Sequence, residues 1–439
     1  MTRKSLCAAI SAALLALALL QTMVAGAQGI YAPVQLKAKE YQSLIDTSRQ
    51  LHGYFDQRSL LFTDPRVVEL VAGVGRGLTP APTDDYMQYR FFVLRDPSPN
   101  AFALPNGDIY VHTGMLARLA DTAQLAAVLG HELNHVAGHH GVVDMRANNK
   151  KIIAGMVLGG VLGGVGSVIG IGLVASMYGF SRELEQEADD RAVGILKASP
   201  YDAHAIPEIY ELLAKDYEGE RPRVSTIWST HPQLEARALR TRGQVADAPA
   251  GRRDAPAFDD VVLPLRTMTI KDYIQDDYPR TAIALAEDLS RRYPAEPELL
   301  TLVGDAWSAM GARAEFDEGD LSNGQKRRNA NQRVFKTRQE RERALLQTSE
   351  GKAALAEHLS KAQEAYMRTT ALAADFAPAY RGLGEVAERL GEPRAAAQAY
   401  VDYLQRAPDA DDKTVIVQRL RALRDVLKNQ ETRDVATAR

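Results

Sequence analysis

His131-Glu132-Leu133-Asn134-His135 lies inside a run whose apolar residues, Leu125, Leu129, Leu133 and Val136, recur at helical spacing. Upstream, Asp121 followed three residues later by Gln124 gives the run a capping-box-like start, so a helix is predicted to begin there. On a helix, two His at i and i+4 are separated by about 6 Å along the axis and about 40° around it, close enough to share one ion. Glu132 flanks them. The apolar stripe lies roughly opposite, so packing that stripe is expected to turn the two imidazoles toward a cleft.

Two His do not complete a site, and a third ligand has to be found. A third His downstream, in the metzincin spacing H-E-x-x-H-x-x-G-x-x-H, fails: Gly138 fits, but the ligand position is Gly141, and His140 is off by one. His139 and His140 are accordingly read as solvent-side residues past the end of the helix. The alternative is an acid on a later helix, Ser181-Arg182-Glu183-Leu184-Glu185-Gln186-Glu187-Ala188-Asp189. Helical phase puts Glu185 and Asp189 on a face bordering Leu184, Ala188, Ala192 and Leu196, with Glu183, Glu187 and Asp190 on the polar side. A buried carboxylate costs several kcal/mol unless it is paired, and a zinc ion would pair it. The reading is therefore one Zn2+ per chain, held by His131, His135 and Glu185. Asp189, one turn beyond Glu185, can then hydrogen-bond the far nitrogen of a ligand His and fix its tautomer.

Around this core the pattern is mixed. Val67, Val68, Leu70, Val71 and Val74 predict a helix, and Tyr89 to Leu94 a strand; Ala101–Leu104 and Ile109–His112 flank Pro105-Asn106-Gly107, a hairpin signal. Residues 152–181 carry no charge and place Gly155, Gly159 and Gly163 at helix-pairing spacing. A single membrane span there would separate His135 from Glu185, and thirty residues are too few for two spans of about twenty. An apolar helical hairpin is expected, packed on the protein or in peripheral contact with a membrane.

The N-terminus has Arg3 and Lys4, an apolar stretch from Leu6 to Leu20, and Ala25-Gly26-Ala27 before Gln28, so residues 1–27 read as a cleaved signal peptide. Cys7, the single cysteine, lies inside that stretch, which leaves only His, Asp and Glu as metal ligands for the mature chain. With a net charge of -3 and a pI near 6.3, the 439-residue chain shows no basic surface for nucleic acid. Its length implies two or three domains. Pro249, Gly251 and Pro256 mark residues 246–258 as a linker between a first domain of residues 28–245 and a second of residues 259–439. In the latter, Tyr380, Leu383, Gly384, Ala387, Ala396, Tyr400 and Pro408 fit the tetratricopeptide pattern, with degenerate repeats around Ala282–Pro294 and Leu300–Trp307. A solvated Arg-, Glu- and Asn-rich stretch lies at roughly 312–352.

Taken together, His131–His135, Ser181-Arg182 followed by Glu185, Ala188, Asp189 and Ala192, and the run Asn100-Ala101-Phe102-Ala103-Leu104-Pro105 resemble the zinc metallopeptidases of the CAAX-prenyl-protease superfamily, over about residues 50–245. A departure is Asn106, where many relatives carry Gly. The resemblance implies an α+β, mainly helical, zincin-type (gluzincin) domain with a small edge β-hairpin, followed here by α-helical tetratricopeptide-like repeats. It implies that Glu132 is the general base, that Asp189 supports catalysis, and that Asn100, Ala101 and Phe102 form a substrate edge strand. It also implies that His231, before Pro232, acts over the metal, either as a gating fourth ligand or as an oxyanion donor. The signal peptide and repeats make the chain similar to the periplasmic members of that superfamily, which implies an endopeptidase that degrades misfolded or stalled envelope and outer-membrane proteins and assists their assembly. The repeats would then engage the outer-membrane assembly machinery. The competing reading is a chaperone or adaptor working through the repeats; a membrane-embedded prenyl-protein protease would need long apolar spans that the sequence lacks.

Overall fold

The computed structural model describes residues 38–79, 88–141, 143, 180–216, 233–311, 343 and 345–437. The expected signal peptide of residues 1–27, residues 152–179 of the apolar segment, and His231 lie outside the described residues. The chain divides into two compact units between Arg266 and Thr267. Among the described residues it is mainly helical with one small sheet, an α+β fold.

The first unit opens with α1 (Ala38–Gln57) and α2 (Pro65–Leu78), the latter capped by Asp64, whose carboxylate accepts from Arg66 N–H. Three strands follow: β1 (Arg90–Leu94), β2 (Ala101–Ala103) and β3 (Asp108–His112), in the order β1-β3-β2. β2 and β3 form the expected hairpin, antiparallel with Phe102 opposite Tyr110. At its turn, Asn106 accepts from Asp108 N–H and donates to the Asp108 carboxylate. Gly107 has φ +93°, and a Cβ there would lie 2.3 Å from Gln88 O, so only glycine fits. β1 runs parallel to β3, and its Arg90 makes a bidentate pair with the directly opposite Asp108. One face of the sheet packs Tyr110 and Phe102 against Phe55 of α1.

The other face meets the helix that carries the His pair. After a short α3 (Thr113–Arg118), α4 (Thr122–Ala137) starts at Asp121, which accepts from Gln124 N–H, while the Gln124 side chain accepts from Ala120 N–H. The expected one-sided stripe is too modest: every residue from Thr122 to Val136 is buried. α2, β2, β3, α5 (Arg182–Ala198) and α6 (Ala205–Asp216) all pack on it, so α4 is the central rod of the unit. α7 (Leu234–Val245) packs on α5 and α6.

Residues 246–258, read as a linker, are held on the first unit. Arg253 pairs with Asp121, Asp202 and Glu208, and its carbonyl accepts from Thr122 N and Oγ1. α8 (Ala255–Gln275) already begins inside the stretch and carries the unit boundary. Arg266 of α8, fully buried, donates to Ala117 O and Leu119 O. Local Pro and Gly content marked a loop there, but the ion pairs that fix it come from residues far away in sequence.

The second unit is helical: α9 (Pro279–Arg292), α10 (Pro297–Met310), α11 (Ser349–Leu372), α12 (Ala377–Leu390), α13 (Pro393–Arg406) and α14 (Lys413–Thr437). Residues 380–408 form the α12–α13 pair, with Ala387, Ala396 and Tyr400 buried against Ile416 and Leu423 of α14. Among the described residues no helix is long and apolar enough to cross a membrane.

Candidate metal centre

One turn apart on α4, His131 and His135 place their Nε2 atoms 2.9 Å from each other. The carboxylate of Glu185, in the first turn of α5, lies 3.5 Å from His131 Nε2 and 3.4 Å from His135 Nε2. Ligands about 2.05 Å from a tetrahedral zinc stand roughly 3.3 Å apart, so the three donors already have the spacing of a shared ion. Two imidazoles and a carboxylate, all three residues buried, are the donor set of an open zinc site. Ser181 caps α5 by accepting from Leu184 N–H, which fixes where Glu185 enters. Phe180 stacks on His135 at 3.9 Å between ring centroids.

Asp189, one turn after Glu185, is fully buried, and its Oδ1 is 3.1 Å from His131 Nδ1. It also accepts from Tyr210 OH (2.5 Å), Arg237 Nη2 (2.6 Å) and Arg240 Nη2 (2.6 Å). Burial alone would raise this carboxyl, but the charge of Arg237 and the hydrogen bond from His131 overcome it and hold Asp189 well below the usual carboxylate range. Burial pushes the His131 imidazolium down, yet hydrogen bonds to Asp189 and Glu185 raise it to about 9 in the metal-free chain. Arg237 spans both acids, with Nη1 2.6 Å from Glu185 Oε2, and lies over the Tyr210 ring at 4.3 Å.

Arg237, Arg240 and Tyr210 were not legible as site residues. The available signal was an Arg on the apolar stripe of α7, between Leu234 and Ala238, where a charge needs a buried partner. Two further assignments change. His140 is fully buried, not on the solvent side, with Nδ1 3.0 Å from His135 Nδ1. Glu187, assigned to the polar side of α5, is buried as well, 3.5 Å from His140 and paired with Arg191. The phase argument failed at Glu187 because His140, folded back past the end of α4, lies against it.

Glu132 is buried beside His131 and shares a cleft with Tyr210, Arg237 and the apolar Val128, Ile206, Ile209 and Leu234. Asn100, Ala101 and Phe102 lie at the edge of the sheet, on the strand that packs against α4. Asn100 O accepts from His112 N–H and Leu104 N–H donates to Asp108 O, so strand alternation points the backbone of Ala101 and Ala103 away from β3. Ala101 N–H is taken by the Asn100 side chain. The Phe102 ring turns to the far side of the sheet, stacking on Tyr110 at 5.0 Å.

Residues 68–244 match peptidase family M48. The chain is 28% identical over 207 residues to the beta-barrel assembly-enhancing protease of Escherichia coli (strain K12), covering 45% of this chain and 42% of that protein. It is 29% identical over 188 residues to metalloprotease LoiP of the same organism, covering 41% and 70%. It is also 28% identical over 178 residues to the mitochondrial metalloendopeptidase OMA1 of Schizosaccharomyces pombe, covering 39% and 51%. The matched segment spans about two fifths of the length of the beta-barrel assembly-enhancing proteases.

Proposed function

We propose that this chain, whose residues 68–244 match peptidase family M48, is a zinc metalloendopeptidase of the bacterial cell envelope. The observation that carries the reading is the buried trio His131, His135 and Glu185 at zinc-ligand spacing, beside Glu132. Zinc bound there supplies Lewis acidity, polarising a peptide carbonyl and lowering the pKa of water toward 7. Glu132, next to His131 at the cleft, takes the proton from the attacking water and passes it to the leaving amine. Asp189 accepts the Nδ1 proton of His131 and so keeps Nε2 available to the metal. Arg237 offsets the charge of two buried acids that would otherwise repel.

The outward backbone of the half-buried Ala103 offers an extended peptide a place to pair, beside the buried Ala101 whose N–H is held by the Asn100 side chain, which favours affinity over sequence selection. His231 acts over the metal as a gate or an oxyanion donor; His231→Ala with zinc retained would raise hydrolysis in the first case and lower it about a hundredfold in the second. Residues 1–27 direct export to the periplasm, and the tetratricopeptide-like helices of residues 259–439 dock partners. The substrates are misfolded or stalled envelope proteins, including outer-membrane proteins whose assembly the protein assists; of this, the name of the relative called beta-barrel assembly-enhancing protease supports the assembly role. The test is cleavage of casein by the purified chain: zinc-dependent hydrolysis, abolished by phenanthroline and restored by zinc, is expected. Casein left intact by fully zinc-loaded protein would favour the chaperone or adaptor reading.

A further inference from the structure

Each zinc-ligating imidazole needs a partner for its second nitrogen, because the metal takes one nitrogen and leaves the proton on the other. For His131 that partner is Asp189. For His135, Nε2 faces the other two ligands, and the far nitrogen Nδ1 meets the ring of His140 at 3.0 Å. His140 was the histidine one position off the metzincin ligand site, and the peptidase chemistry has no other use for it.

We propose that His140 and Glu187 form a positioning relay for zinc ligand His135, an inference that rests on the zinc reading of the His131, His135 and Glu185 trio. The hydrogen-bond logic fixes both tautomers. Bound to metal through Nε2, His135 carries its proton on Nδ1 and donates it to His140 Nδ1. His140 Nδ1 must then be bare, so the neutral ring carries its proton on Nε2, a buried nitrogen that faces Glu187 Oε2 at 3.5 Å without closing a hydrogen bond in the metal-free chain. Glu187 is itself held by Arg191, one turn along α5.

The backbone past α4 is built to bring His140 back. His139 adopts the left-handed conformation, φ 51°, and its N–H donates to Val136 O, which reverses the chain one residue before His140. A Cβ on Gly138 would lie 2.3 Å from His140 Nε2, so glycine there makes room for the ring. Three acids spaced two apart on α5 thus divide the work: Glu185 ligates, Asp189 orients His131 directly, and Glu187 orients His135 through His140.

The test uses the full chain and zinc affinity, measured by competition with a chromophoric chelator. His140→Phe keeps the bulk and removes the acceptor, and zinc affinity should fall roughly 10- to 100-fold. His140→Asn, whose Oδ1 can accept near the position of Nδ1, should stay within about threefold of wild type, a rescue that lost packing alone would not give. Wild-type affinity in His140→Phe, or equal losses in both variants, would overturn the relay. A second measurement needs no variant: nitrogen–proton correlation of the imidazoles in zinc-loaded wild type should show His140 neutral with its proton on Nε2, and a proton on Nδ1 would overturn the proposal. Zinc bound by wild type and lost in Glu185→Ala, but unaffected in His140→Phe, refutes the relay alone. A wild type that binds no zinc refutes the zinc reading as well.

Discussion

Asp189→Asn separates the two roles the structure gives this carboxylate. The side chain is fully buried and receives His131, Tyr210, Arg237 and Arg240. The amide keeps the shape, loses the charge and turns an NH2 toward groups that are all donors. Removing one partner of a buried ion pair costs about 3–5 kcal/mol. Arg237 keeps Glu185 and Arg240 keeps Asp190, so the lower end, about 3 kcal/mol, is expected. At about 2–4 °C per kcal/mol for a unit of this size, melting of the metal-free protein should drop by roughly 6–12 °C. Because the folded carboxyl is depressed, its contribution is complete above the unfolded carboxylate range and is lost as pH falls through the lower folded value. The wild-type advantage should therefore be full near pH 5 to 6, shrink below about pH 4, and also decline as pH rises from about 6.5 toward 9, where metal-free His131 gives up the proton that Asp189 helps it hold. Zinc affinity should fall about 10- to 100-fold, since His131 loses the acceptor that sets its tautomer. Calorimetry of the metal-free proteins and chelator competition check both numbers. Melting within about 2 °C of wild type together with unchanged zinc affinity would refute the argument.

His135→Ala and Glu185→Ala should each leave the purified protein without stoichiometric zinc by elemental analysis; full metal content in either removes that residue from the ligand set. A chain ending after Gln275 should melt higher than one ending at residue 257, because the shorter one loses Arg266 and its bonds to Ala117 O and Leu119 O; equal melting would show that α8 adds nothing to the first unit. In the second unit, burial raises the Asp305 carboxyl to about 6 against the donated bond from Tyr366 OH, with Glu385 repelling it and Arg381 and Lys271 offsetting. The folded state therefore binds the proton more tightly than the unfolded one, and stability falls as pH rises from about 4 to 6, by roughly 1–3 kcal/mol. Asp305→Asn should remove that loss, and an unchanged melting profile across the window would refute it.

The decisive parts of the fold were local and therefore readable. Asp121 and Gln124 start α4 by hydrogen bonds within one turn, and Pro105-Asn106-Gly107 closes the β2–β3 hairpin through contacts inside the turn, apart from the approach of Gln88. Glu185 followed from helical phase, because its partners demand one face of α5. His140 and Glu187 did not follow, since the left-handed residue that folds His140 back is a histidine and carries no glycine-like signature. Arg237 and Arg240 reach Asp189 across some fifty residues, a pairing that spacing within either helix does not encode. The parallel pairing of β1 with β3 likewise depends on burial of both strands and not on any turn.

The central claim is that Glu132 is the base of a zinc peptidase and not a ligand or a structural acid. Glu132→Gln tests it most directly, with zinc content and casein hydrolysis measured on the same preparation. The account predicts one zinc per chain in wild type and variant alike, with hydrolysis abolished in the variant. Hydrolysis within a few fold of wild type at full zinc occupancy would contradict it.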